Sequence, residues 1–260
     1  MVRRRRKKKY STTIKIVLIV TAIVAVCVFY SDIMDLFRPV LQKVEKYSNI
    51  KRDLKDYTVF GIDVSEYQTD IDWKKLCEND RPDFVIIRAC AGKNKLDKKF
   101  LTNWKSAKEI GIIRGAYHYY RPDEKSTEQA EFFIKNVQLE AGDLPPVLDI
   151  EKFSRVQSLN SLKSGLLNWL KIVEEHYGIT PILYTYNKFY TAAIADDPRF
   201  AKYPVWIAWY TTRGDPSKIT EDWVFWQYTD KGSLSGIKGN VDVNVFNGKI
   251  QDLDGLRKKE

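Results

Sequence analysis

Histidine is nearly absent: His118 and His176 are the only two in 260 residues. With so few imidazoles, and His176 in a polar helix end with no partner nearby, a metal centre is disfavoured, and no metal or other cofactor is expected. A glycine-rich phosphate loop is also missing. After the first strand-like run stands "DVSEY", which removes the main support for a nucleotide-binding fold. No acid occurs in residues 1–30, and no internal repeat appears beyond the basic block at the start. The formal charge of +9 is therefore local. Residues 1–30 hold eight of the 43 Lys and Arg and none of the 34 Asp and Glu, which leaves 35 bases against 34 acids elsewhere. So balanced a body is not built to steer toward polyanions, and nucleic acid is not an expected partner.

Cysteine is scarce too, with three in the chain. Cys27 follows Val26, a poor residue before a lipidated cysteine, so it reads as a thiol within an apolar segment. Cys77 falls late in a helix-like stretch and Cys90 late in the next strand-like one. In an alternating parallel unit those ends lie on opposite sides of the layer, about 20 Å apart, so two free thiols are expected.

The block Arg3–Lys9 precedes an apolar run from Ile16 to Tyr30. That order follows the positive-inside pattern, and the run is at the short end of what spans ~30 Å of hydrocarbon. No small-x-small cleavage site stands before Ser31. Residues 1–15 therefore read as a basic cytoplasmic tail and 16–30 as a signal-anchor, with secretion after cleavage as the alternative. Residues 31–57 are charged and short of aromatics and read as a stem. A globular domain over 58–250 and a charged tail over 251–260 complete the chain.

From Val59 a strand-then-helix rhythm begins. "VFGIDVSEY", "FVIIRACA", "IIRGAYHYY", "PPVLDIE" and "PILYTY" read as strands. Between them "DWKKLCEND", "DKKFLTNWKSAKEIG", "STEQAEFFIKNVQLE" with Ser126 as N-cap, and "SLKSGLLNWLKIVEEHYG" closed by Gly178 read as helices. The last third, with "PVWIAWY", "VFWQYT" and "VDVNVF", has strands with little helix between them. Eight strand candidates in this order favour an α/β fold, an irregular eight-stranded TIM-like (β/α) barrel that is helix-poor in its last third.

The stretch "PPVLDIEKF" sets Asp149 and Glu151 in an otherwise apolar strand. Buried carboxylates are rare unless paired or put to use, and positions two apart on a strand face one space. Barrel active sites lie at the C-terminal strand ends. There the first strand offers Asp63, with Ser65 and Tyr67 on the same parity, and the eighth offers Asp242 and Asn244. Closing the barrel makes first and eighth neighbours, so four acids share one mouth. Tyr117 and Tyr119, Tyr184 and Tyr186, Trp206 and Tyr210, and Trp226 and Tyr228 supply aromatic walls. Acids ringed by aromatics suit a sugar, whose hydroxyls meet carboxylates and whose C–H faces meet rings. Strand-end capping or metal binding by the acids stays open at this point. His118 has the opposite parity to Tyr117 and reads as a packing histidine.

These segments, "GIDVSEYQ", "DFVIIRA", "FLTNW", "GAYHYYRP", "PPVLDIE", "ILYTY", "VWIAWY", "FWQYT" and "VDVNVF", resemble in order those of glycoside hydrolase family 25, the Chalaropsis-type lysozymes or N-acetylmuramidases. The resemblance implies an irregular eight-stranded barrel and hydrolysis of the β-1,4 bond between N-acetylmuramic acid and N-acetylglucosamine in peptidoglycan. It maps the family's acids onto Asp63, Asp149, Glu151 and Asp242. Glu151 is then the general acid/base, and Asp149 stays ionised beside the anomeric centre. Tyr117, Tyr119, Tyr184, Trp206, Tyr210 and Gln227 are the expected substrate-binding residues. Where relatives often read Ala-Thr-Glu-Gly, this chain has "ACAGKNKLDKKF", so Ala91 replaces an acid at the rim. The alternatives are a membrane-tethered wall-binding protein with a degenerate site and a barrel glycosidase acting on chitin-like polymers. The expected partners are peptidoglycan strands and, through the N-terminal helix, a membrane; the chain is expected to be a monomer with its catalytic domain periplasmic or extracellular.

Overall fold

A computed structural model describes residues 29–30, 54, 56–211 and 214–259. The apolar run 16–30 apart from its last two residues, Cys27 and nearly all of the stem lie outside them. Among the described residues no helix is long and apolar enough to cross a membrane.

The first half of the barrel alternates as its hydrophobic pattern requires. β1 (Phe60–Val64) leads to α1 (Trp73–Asp80), then β2 (Phe84–Ala91), a two-residue β3 (Lys95–Leu96), α2 (Phe100–Glu109), β4 (Ile113–Tyr119), α3 (Ser126–Asn136) and β5 (Val147–Asp149). The long α4 (Leu159–Tyr177) and β6 (Ile182–Tyr186) follow, then short helical turns and β7 (Val205–Ala208), β8 (Trp223–Gly232), β9 (Val241–Phe246) and α5 (Ile250–Leu256). Every residue of β2 is buried, as expected for a parallel strand covered by helices on one face and the barrel interior on the other.

Helix α4 shows how the sequence sets an element. The Ser158 hydroxyl accepts from the Ser161 N–H at its start, and Gly178 closes it in the left-handed region at φ 67°. Its buried face, from Leu162 through Leu166, Trp169 and Val173 to Tyr177, follows the 3.6-residue period. In α3 the cap differs from the sequence reading. Lys125 occupies the N-cap and Ser126 is the first helical residue; its hydroxyl accepts from Asn168 Nδ2 on α4 at 3.0 Å.

The eight longer strands close in the ring β1-β2-β4-β5-β6-β7-β8-β9, with β3 antiparallel on the edge of β2. Neighbours from β1 through β8 run parallel, whereas β9 is antiparallel to both β8 and β1. The cause is the short hairpin between β8 and β9: without a crossover helix the chain cannot return to the starting end. Residues 251–260, read as a charged tail, carry most of α5, whose Leu253 is fully buried in the core. Tyr57, read as the end of the stem, packs edge-on against Trp223 and Trp226 and donates to Asp215.

Along the strands the inward positions change from apolar to ionisable. Phe84 and Ile86 on β2 lead to Arg88, Val147 on β5 to Asp149, and Ile182 on β6 to Tyr184. On β1 Gly61 precedes Asp63, and a Cβ at Gly61 would stand 2.3 Å from the Phe84 ring. The missing side chain lets Phe84 floor the barrel beneath the acid. A register shift between Arg88 and Cys90 marks a bulge in β2, after which Cys90 pairs with His118 and its thiol lies near the Phe132 carbonyl of α3.

Candidate active site

Asp63, Asp149, Glu151 and Asp242 line one pocket of about 410 Å³, open to solvent, together with Tyr117, Tyr184, Trp206, Tyr210 and Gln227. Asp63 and Asp242 stand directly opposite each other across the antiparallel β1–β9 pair. Asp149 ends β5 in register with Tyr119 and Tyr184 on its two neighbours. The next turn of chain is pinned on both sides: the Ile150 N–H donates to the Tyr184 carbonyl at 3.0 Å and the Thr185 hydroxyl to the Ile150 carbonyl at 2.5 Å. Glu151 is thereby held at the mouth although it lies beyond the strand.

Burial orders the four acids. Asp63 and Asp149 are 6% and 4% exposed, whereas Glu151 and Asp242 are half-buried. Burial pushes the Asp63 carboxyl up to about 6, against the pull of hydrogen bonds from Asn244, Gln227 and Asp242. Burial and the neighbouring Asp63 charge push Asp242 up to about 8. Glu151 is raised by burial, with Lys152 opposing. Asp149 is held well above the usual carboxylate range by burial and then by Glu151 and Asp63, with Arg88 opposing. The free site thus disfavours the ionised Asp149 that the sequence reading expected. Its Oδ1 is buried without a hydrogen-bond partner, the kind of orphan that calls for a ligand or an ordered water.

The aromatic wall is only partly the expected one. Tyr117, Tyr184, Trp206 and Tyr210 line the pocket. Tyr119 lies in an adjoining hollow of about 990 Å³, which shares Tyr117, Asp149, Glu151 and Asp242 and also reaches Ala91 and Lys152. Tyr186 packs against Phe189 instead. Trp226 and Tyr228 do not line the pocket; Gln227 between them does, and Trp226 donates from its indole to the Trp209 carbonyl. Alternation permits one parity per strand, and a register shift between β7 and β8 obscured which. His118 is fully buried, packs against Phe133 and Trp169, and meets Gln129 at 3.2 Å, away from the acids.

The sequence reading missed Arg88. Its Nε donates to Asp97 at 2.7 Å, its Nη2 lies 3.1 Å from Glu66, and its guanidinium sits 4.8 Å from the Tyr67 ring centroid. The signal was present: an arginine inside "FVIIRACA" is as unusual as the acids in "PPVLDIEKF". Among the described residues no cluster of His, Cys, Asp and Glu is placed to hold a metal ion.

Comparison with known proteins agrees with this geometry. Residues 62–237 match the family model of glycosyl hydrolases family 25. Lysozyme M1 of Streptomyces globisporus is 33% identical over 209 residues, covering 76% of this chain and 71% of its own. The uncharacterised protein YegX of Escherichia coli is 39% identical, over 77% of this chain and 75% of its own. The solved family 25 glycosyl hydrolase from Bacillus anthracis superposes with a TM-score of 0.70 at 33% identity, covering 78% of this chain and 94% of that one. The chain is therefore a glycoside hydrolase and belongs to glycosyl hydrolases family 25.

Proposed function

We propose that the chain cleaves the β-1,4 bond between N-acetylmuramic acid and N-acetylglucosamine in peptidoglycan, as a lysozyme. The carrying observation is the end of β5, where a half-buried Glu151 stands two residues from a buried Asp149 with an unpartnered oxygen. Glu151 is reachable from solvent and its carboxyl is raised, so it holds the proton that the leaving glycosidic oxygen needs. Asp149 resists ionisation in the free site. The acetamido N–H and the positive charge growing at the anomeric carbon favour its carboxylate, so Asp149 releases its proton to solvent as substrate binds and its charge then stabilises the transition state more than the ground state. Its free oxygen suits the N–H of an acetamido group. The rings of Tyr117, Tyr184 and Trp206 suit the sugar's C–H faces.

The N-terminal pattern supports tethering through residues 16–30, with the barrel on the outer side, where peptidoglycan lies. The chain works there as a monomer. Mass spectrometry of fragments released from purified peptidoglycan by the full chain tests the bond. New reducing ends on N-acetylmuramic acid are expected; reducing ends on N-acetylglucosamine, or turnover of chitin oligosaccharides alone, overturn it.

A further inference from the structure

Asp63 has no base for a partner among the described residues, yet its surroundings are built for an anion. Two amides converge on one of its oxygens: Asn244 Nδ2 lies 2.8 Å and Gln227 Nε2 2.9 Å from Oδ2. A side-chain amide can turn round and present its oxygen instead, so the question is what fixes these two. For Asn244 the answer is Trp206, whose indole N–H donates to Asn244 Oδ1 at 2.9 Å. An indole nitrogen can only donate, so the amide oxygen must face it and the NH₂ must face Asp63. Gln227 has no such lock, because the Tyr184 and Tyr210 hydroxyls that donate to its Oε1 at 2.8 and 2.7 Å can equally accept from an amide NH₂; its Nε2 faces Asp63 because the Asp63 carboxylate accepts from it. Both amides are almost wholly buried. A proton on Oδ2 would point into the Asn244 N–H, whose direction Trp206 fixes, so that oxygen is an acceptor only.

We propose that Asn244, aimed by Trp206, and Gln227, seated on Tyr184 and Tyr210, are positioning residues that keep Asp63 a carboxylate and leave the proton of the β1–β9 pair on Asp242. Of the other groups facing Asp63, Asp242 on β9 adds a third hydrogen bond through its own proton but none brings a positive charge: Asp149 and Glu151 at the end of β5 are acids, and Tyr117 on β4, Tyr184 on β6 and Tyr210 beyond β7 are neutral. Arg88 on β2 is engaged by Asp97 and Glu66. Charge at Asp63 is therefore held by oriented dipoles rather than by an ion pair. The order of the two carboxyls agrees, with Asp63 about 6 and Asp242 about 8. The arrangement serves Glu151, because a negative charge at Asp63 raises the Glu151 carboxyl and helps it keep its proton.

The proposal deepens the lysozyme reading but is tested partly without it. Carboxyl ¹³C NMR titration of the wild type, with Asp63 assigned through Asp63→Asn, should show Asp63 ionising before Asp242. In Asn244→Ala the Asp63 titration and the acidic limb of kcat/KM on purified peptidoglycan should both move up by about one pH unit or more, the worth of a hydrogen bond to a charged group. Trp206→Phe keeps a ring but frees the Asn244 amide to turn, and should shift both in the same direction by less. It carries the test if Asn244→Ala does not fold. An Asp63 titration unchanged in the variants, with activity lowered evenly at every pH, overturns the proposal, as does a wild type in which Asp242 ionises first. A wild type inactive on peptidoglycan would defeat the proposed function and leave the titration to decide this inference.

Discussion

The four carboxyls share a mouth but not an environment, and substitutions should separate them. Glu151→Gln keeps the shape and removes the proton donor, so turnover should fall by about 10²–10⁴ with glycan binding retained; kcat within a few-fold of wild type on peptidoglycan would remove Glu151 from that role. Asp242 gives a stability prediction. Its folded carboxyl is raised to about 8 against an ordinary ~3.9 when unfolded. Stability from its neutral form is present below the unfolded value and is lost as pH rises through 8. Asp242→Asn retains a donor for Asp63 without that loss, so its Tm should exceed that of wild type at pH 8–9, with the gap closing toward pH 4. Equal gaps at both ends would contradict it. The acids were legible in the sequence because each breaks an apolar run at a position of inward parity, Glu151 two residues past the end of β5. Arg88 breaks the apolar run of β2 in the same way and is equally legible. The ionisation of Asp149 was not legible, since it depends on how four separate strands crowd one another.

At the level of elements, periodicity reported the first half of the barrel well. Long amphipathic helices such as α4 carry their own caps and faces, and β2 carries a continuous apolar run. What the pattern did not show was made by tertiary pairing: the reversed β9, the two-residue β3, the bulge after Arg88, and the outward parity of Trp226 and Tyr228 beside Gln227, which the family resemblance had already put among the substrate-binding residues. Helix α5 is too short and too charged to announce itself, and only its packing reveals it. Leu253 is fully buried there against the barrel floor, and Arg257 beyond it donates to the Gly142 carbonyl at 2.5 Å. Leu253→Ala should cost about 2–5 kcal/mol, read as a lower urea midpoint with an unchanged slope. A cost below that of an exposed leucine would mean that α5 does not close the floor in solution.

For the whole molecule, the alternating layers keep the two described cysteines apart as free thiols, Cys77 half-buried on α1 and Cys90 buried on β2. Burial pushes the Cys90 thiol up to about 12, so Cys77 should be alkylated first in the native protein and both after denaturation without reductant. An unfolded mass short by two hydrogens would contradict the strand and helix placement that separates them. The antiparallel closure also has a consequence for the order of synthesis. Asp63 belongs to the first strand made, whereas Gln227, Asp242 and Asn244, which hold it, belong to the last two. A chain still emerging from the ribosome carries Asp63, Asp149 and Glu151 without Asp242 and the amides that set their charge, so a hydrolase built this way stays inert until its last strands have emerged and closed the ring.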